Sequence, residues 1–220
     1  LEQHLLQRQE FALFDLVSKI IPPHVICIYI RQAYPLGLGH AVVCAANLIN
    51  GEPFAVILAD DLIKSKSSNC LQQLINRYDQ TGTSIIAVER VADTEVSNYG
   101  IVGFKGPHAT SDFINQIIEK PEQSLALSKH AVVGRYILTP KIIECLKMLE
   151  AQNNGIEIQL TDALAALLVH EPIYALEFEG TRFDCGKKTE YFRAILEHAL
   201  QKSEYRQIFK ETAEKLSCAL

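Results

Sequence analysis

The sequence predicts an α/β fold: a mostly parallel, twisted sheet, an antiparallel part in the second half, and helices at the C-terminus. Three observations predict it. Short, wholly apolar runs such as 54–58 alternate with stretches of helical periodicity, the rhythm of βαβ units joined by right-handed crossovers. These runs lack apolar–polar alternation, so they read as strands covered on both faces. The second half instead places two strand-like runs either side of a polar loop, which suits an antiparallel excursion.

Each element follows from its residues. Leu5, Leu6, Phe11, Phe14, Val17 and Ile21 recur at helical spacing until Pro22-Pro23 ends the helix. Residues 24–30 are a β-branched run and read as a strand. Gly37 and Gly39 interrupt it, and an apolar helix follows over 40–48. Asn50-Gly51 marks a turn, and 54–58 is a buried strand. A helix over 71–78 leads past Gly82 to another buried strand at 84–89. Residues 99–104 and 113–119 form the antiparallel pair, joined by the loop 106–112. A strand at 131–138 precedes Pro140, well placed to open a helix. A further helix runs over 160–170, capped by Thr161 or Asp162. Residues 173–178 form the last strand, and the chain is helical from Lys188. With no repeat or Gly/Ser-rich linker, 1–220 reads as a single domain, 188–220 being a C-terminal helical tail.

Composition narrows the function classes. With 48% hydrophobic and 21% charged residues, the chain is globular, not disordered, collagen-like or coiled-coil. A net charge of −5 leaves no basic footprint for nucleic acid or an anionic membrane. No apolar run approaches the ~18 residues of a membrane helix. Six cysteines occur without a CxxC pair, so buried free thiols in a reducing cytoplasm are expected. Met148 is the only methionine and Leu1 already lies in a helical pattern, so the chain is expected to be a piece of a longer protein. The apolar terminal helices point to a homo-oligomer.

Four segments could carry chemistry. The strand ending in Leu58-Ala59-Asp60-Asp61 places carboxylates where open α/β sheets bind ligands, and a hard cation completed by phosphates is their natural partner. Capping a helix or facing solvent is the equally weighted alternative. Arg31-Gln32 ends a strand and Gly37-Leu38-Gly39-His40 opens a helix. Glycines let backbone approach a base or phosphate, and Gln32 has the donor–acceptor pair that reads a pyrimidine edge. A tight turn and a surface amide are the plainer readings. Glu119-Lys120-Pro121 offers a carboxylate to sugar hydroxyls and an ammonium to a phosphate, with proline keeping Lys120 extended. Phe183-Asp184-Cys185-Gly186-Lys187 puts a second carboxylate before a glycine turn, and alone reads as a helix start.

Together, RQ, GLGHA, LADD, NYG, EKP, VGRY, EIQLTD and FDCGK, in this order over 1–198, resemble the bacterial UTP–glucose-1-phosphate uridylyltransferases of the sugar-nucleotidyltransferase superfamily. The resemblance implies a Rossmann-like nucleotide-binding sheet with an antiparallel sugar-binding part. It implies that UTP and glucose 1-phosphate give UDP-glucose and pyrophosphate with Mg²⁺. Gln32, Gly37 and Gly39, with His40, would hold the nucleotide. Asp60 and Asp184 would hold the metal, and Asp60 and Lys120 would be the catalytic pair. Gly100, Glu119, Lys120, Gly134 and Glu157 would bind the sugar phosphate, with Asp162 beside them. Ala59 replaces a proline common in the family. The family's glycine-rich GxGTRxxPxTK loop has no counterpart in the 220 residues, which by themselves are expected to be inactive. A thymidylyltransferase and a noncatalytic sugar-nucleotide-binding module are the alternatives.

Overall fold

A computed structural model describes residues 1–104, 112–152 and 155–217. The expected loop at 106–112, apart from Asp112, and Cys218 lie outside the described residues. The chain divides into two compact units, Leu1–Ala33 and Tyr34–Leu220.

The first unit contains α1 (Glu2–Gln7) and α2 (Phe11–Ser18). The continuous helix expected there is broken at Gln9, whose φ is +56°. The strand expected at 24–30 does not form. Its β-branched composition is strand-like, but Ile26 is 86% and Tyr29 91% exposed, and a strand exists only where a neighbour satisfies its backbone groups.

The second unit opens with α3 (Gly37–Cys44) and α4 (Ala46–Ile49), where one helix was expected. Asn50 and Gly51, at φ +49° and +76°, form the expected turn into β1 (Phe54–Ile57). β2 (Asp61–Lys64) follows, then α5 (Cys70–Thr81). Asn69 caps α5 by accepting from the Gln72 N–H at 2.8 Å, and Gly82 at φ +66° ends it. Then come β3 (Ser84–Arg90), β4 (Gly100–Phe104), β5 (Ile114–Glu119), β6 (His130–Leu138), α6 (Lys141–Ala151) and α7 (Leu160–Leu167). The chain continues through β7 (Ile173–Glu177), β8 (Thr181–Asp184), α8 (Lys188–Ala199) and α9 (Ser203–Ser217). Gln159, not Thr161 or Asp162, occupies the N-cap of α7, and it makes no side-chain capping bond.

The α/β class holds, but the sheet is not mostly parallel. Its order is β5-β4-β6-β3-β7, with β1 also against β6. Among the described strands only β3 and β7 pair in parallel; β6 runs antiparallel to β1, β3 and β4. An apolar run reports burial of both sheet faces, not strand direction, so β6 entered between β1 and β3 without a sequence signal. Even that burial is incomplete in β1, where Ile57 is 53% exposed.

Helices cover both faces. Ile86 and Val88 of β3 and Val132, Tyr136 and Leu138 of β6 pack with α6 and α7 through Ile142, Leu146, Leu160 and Leu164. Ile85, Ala87, Val133 and Ile137 meet Cys70 and Leu74 of α5 on the other side. The period-2 alternation of β3 supplies both layers from one wholly apolar run. Of the five described cysteines, Cys70 and Cys145 are buried as expected, Cys44 and Cys185 are half-buried and Cys27 is exposed; all are free.

Candidate active site

β2 and β8 form a two-stranded ribbon outside the main sheet, with Asp61 directly opposite Asp184. The segment 183–187 is the end of β8 and the turn that leads, as expected, into a helix, with Lys187 at the N-cap of α8. A guanidinium fixes the corner between β1 and β2. Arg135 donates to the carbonyls of Leu58 at 2.9 Å, Gly134 at 2.8 Å and Asp61 at 2.5 Å. Asp60 lies in the turn between β1 and β2 while Asp61 is the first residue of β2, which separates two adjacent carboxylates. Asp61 is buried and Asp60 is exposed.

Asp61 is fully engaged. One oxygen accepts from the Gly134 N–H at 2.7 Å, and the other accepts from Arg182 Nε. Arg182, its side chain 7% exposed, also donates to Glu89 at 2.5 Å. Burial alone would lower its pKa, but the hydrogen bonds and charges of Asp61 and Glu89 outweigh that and hold it above the ordinary arginine value. Gly134 lets this happen: a Cβ there would lie 2.6 Å from both Asp61 Oδ2 and Leu58 Cβ.

Asp60 and Asp184 meet at Gly186. A Cβ on Gly186 would sit 3.1 Å from Asp184 Oδ1 and 3.7 Å from Asp60 Oδ2. The Cys185 N–H also donates to the Asp60 carbonyl at 2.7 Å. Two carboxylates sharing a glycine-lined cradle suit a hard cation that takes further oxygens from a ligand. Among the described residues, no three His, Cys, Asp or Glu side chains are grouped to hold a metal by themselves.

The remaining walls come from β4, β5 and α7. Gly100 pairs with Glu119 across β4 and β5, and a Cβ at Gly100 would lie 3.2 Å from both Glu119 Oε2 and Thr161 Oγ1. The Lys120 N–H donates to the Tyr99 carbonyl at 3.0 Å, and Lys120 adopts φ +43°. The expected extended conformation is thus corrected. The tie to Tyr99 turns the chain at the strand end, holding a non-glycine residue in the left-handed region at a cost of about 1–2 kcal/mol. Its side chain remains 60% exposed, with the ammonium 3.9 Å from Glu119.

Asp60, Gly100, Glu119, Lys120, Gly134 and Asp184 all line one recess of about 300 Å³. Asp61, noted from sequence beside Asp60, lines it too, as do Tyr99, Tyr136, Gln159, Thr161 and Arg182, to which the sequence assigned no site role. Burial raises the Tyr136 phenol above its ordinary value, and Asp61 and Glu119 add to this. Lys187 is raised by its hydrogen bond to Tyr99 and by the charges of Asp184 and Glu95, against an opposing effect of burial. Arg182 could have been found by taking 181–184 as a strand, since it shares a face with Asp184 two residues on. A larger cavity of about 500 Å³ lies at Lys64, Thr181 and Phe183 and includes none of the expected site residues.

The other expected residues are not among those lining the recess. Gln32 belongs to the first unit. Gly37 and Gly39 open α3 against 157–158: the Gly39 N–H donates to the Ile158 carbonyl at 2.8 Å, and a Cβ on either would come within 2.8 Å of that oxygen. Glu157 is exposed and accepts from Gln159 at 2.9 Å. His40 lies 3.8 Å from Glu150. Asp162 is exposed.

Comparison with known proteins bears on this arrangement. A family model described as nucleotidyl transferase matches residues 2–201. The chain is 44% identical to UTP–glucose-1-phosphate uridylyltransferase YngB of Bacillus subtilis over 178 residues, 81% of this chain and 59% of the relative. It is 37% identical to a Staphylococcus epidermidis UTP–glucose-1-phosphate uridylyltransferase over 188 residues, 86% of this chain and 65% of the relative. The chain therefore spans about three-fifths to two-thirds of these relatives. A UDP-glucose pyrophosphorylase from Acinetobacter baumannii superposes with a TM-score of 0.82 at 39% identity, covering 98% of this chain and 74% of that one. A UDP-glucose pyrophosphorylase complexed with UDP-glucose gives 0.75 at 38% identity, covering 89% and 74%.

Proposed function

This chain belongs to the nucleotidyl transferase family, and from that premise we propose that it carries the cation and sugar sites of a UTP–glucose-1-phosphate uridylyltransferase. In the proposed reaction a phosphate oxygen of glucose 1-phosphate attacks the α-phosphorus of UTP in line. The α–β phosphoanhydride breaks, pyrophosphate leaves and UDP-glucose forms. No protein nucleophile is needed, so the side chains act by positioning and charge neutralisation.

The supporting observation is the recess itself, which gathers Asp60 and Asp184 with Gly100, Glu119 and Lys120. Glu119 accepts from sugar hydroxyls, while the Gly100 backbone lets the sugar approach closely. Lys120 meets the sugar phosphate, Gly134 completes the sugar side, and Glu157 supports it from outside the recess through Gln159, which lines it. Gln32, Gly37, Gly39 and His40 serve the nucleotide. Asp60 and Asp184 would hold Mg²⁺, which supplies charge neutralisation to the phosphates. Among the described residues no helix is long and apolar enough to cross a membrane, and a cytoplasmic enzyme is our reading. Exposed Tyr191 and Phe192 on α8 and Ile208 and Phe209 on α9 fit association of copies.

Calorimetric titration with UDP-glucose, UTP and dTTP in Mg²⁺ tests the reading. We expect UDP-glucose and UTP to bind and dTTP to bind more weakly. Equal binding of dTTP would favour a thymidylyltransferase, and absence of binding by all three would contradict the assignment.

A further inference from the structure

A chain of hydrogen-bond donors ends on the Asp184 carboxylate. Lys187 Nζ lies 2.7 Å from Tyr99 Oη, and Tyr99 Oη lies 3.0 Å from Asp184 Oδ2. An ammonium has three donors and no acceptor, so the phenol oxygen must accept from Lys187. Its single proton is then left for the neighbouring acceptor, Asp184. Lys187 and Arg182 add their charges at 3.5 and 3.9 Å from the same Oδ2. The other oxygen, Oδ1, faces Gly186, as Asp60 Oδ2 does.

We infer that Tyr99, oriented by Lys187, is a positioning residue for the cation site: it pins Asp184 Oδ2 and so turns Oδ1 toward Asp60. The inference rests on the cation reading above. Without such a tie, an aspartate is free to rotate about its terminal torsion, which is broad and two-fold, and repulsion from Asp60 would favour turning it away. A neutral hydroxyl holds the geometry without adding positive charge beside the cation. The charge of Lys187 is in turn shared with Glu95 at 3.5 Å. The Tyr99 ring is itself held, with the Arg182 guanidinium carbon 5.0 Å from its centroid. Partners that orient metal ligands from outside the coordination sphere change metal affinity by about 10–100-fold.

The experiment titrates the 220-residue chain with Mn²⁺ alone, following the free-ion signal by electron paramagnetic resonance. It compares the parent with Tyr99→Phe, Lys187→Arg and Asp60→Asn, and records a melting temperature for each. Tyr99→Phe removes only the hydroxyl and should weaken Mn²⁺ binding about tenfold with melting unchanged. Lys187→Arg keeps a donor-only cation and should retain the parent affinity. Asp60→Asn removes a proposed ligand and should abolish binding. If Tyr99→Phe binds like the parent while Asp60→Asn does not, the positioning role is overturned and the cation site stands. If the parent binds no Mn²⁺, or Asp60→Asn binds it equally, the cation reading falls and this inference falls with it.

Discussion

Asp60 and Asp61 are adjacent and chemically identical, yet the fold assigns them opposite environments. Asp61 turns inward to Arg182 and the Gly134 amide, while Asp60 stays exposed beside Gly186. The ion pair therefore organises the ribbon, and the exposed carboxylate is the one a cation could reach. Replacing Arg182 with methionine would leave Asp61 buried and uncompensated, which costs about 3–5 kcal/mol. Urea denaturation should show that loss. A change below about 1 kcal/mol, with the helical signal intact, would mean that Asp61 finds another partner. The sequence signalled the pair of aspartates but not their division of labour, because Arg182 lies 121 residues from Asp61 and no local pattern links them. Lys120 departs from the extended conformation for a related reason: proline restrains its neighbour locally, but the bond to the Tyr99 carbonyl decides its conformation.

At the scale of elements, close approach sets the site. β6 carries Gly134 where β1 and β2 turn, and a Cβ there would meet Leu58 Cβ, which is no flexible tip, at 2.6 Å. Gly134→Ala should cost about 1–3 kcal/mol through this overlap. The check is the denaturation midpoint; an unchanged value would show that the corner relaxes freely. α5 offers a pH test. Burial pushes the Cys70 thiol up to about 11, above its ordinary value near 8.5. The folded state thus prefers the neutral thiol, and its stabilising contribution, complete below about pH 8.5, is lost as pH rises toward 11. Melting temperatures at pH 8 and pH 10.5 should diverge more for the parent than for Cys70→Ala; equal divergence would remove Cys70 as the cause. Most helix and strand positions were legible in the local patterns, α5, β3 and β5 within a few residues. Strand direction was not, because an apolar run has the same composition in either orientation.

For the whole molecule, the sheet edge, the ribbon and α7 together bring residues spread from Asp60 to Asp184 into one recess. Six expected site residues were legible from short motifs: Asp60, Gly100, Glu119, Lys120 and Asp184 lie at or beside strand ends, whereas Gly134 lies within β6 and reaches the recess because it has no side chain. Gly37, Gly39 and Glu157 were legible as motifs, but the structure places them against one another through 157–158. We propose that this recess recognises a sugar nucleotide, with Glu119 on its sugar. The most direct measurement is calorimetric binding of UDP-glucose and of UTP to the parent and to Glu119→Gln. Losing a charge-assisted hydrogen bond to a hydroxyl should weaken UDP-glucose binding by about 1.5–3 kcal/mol, leaving UTP binding unchanged. An equal loss for both ligands, or none for UDP-glucose, would contradict the account.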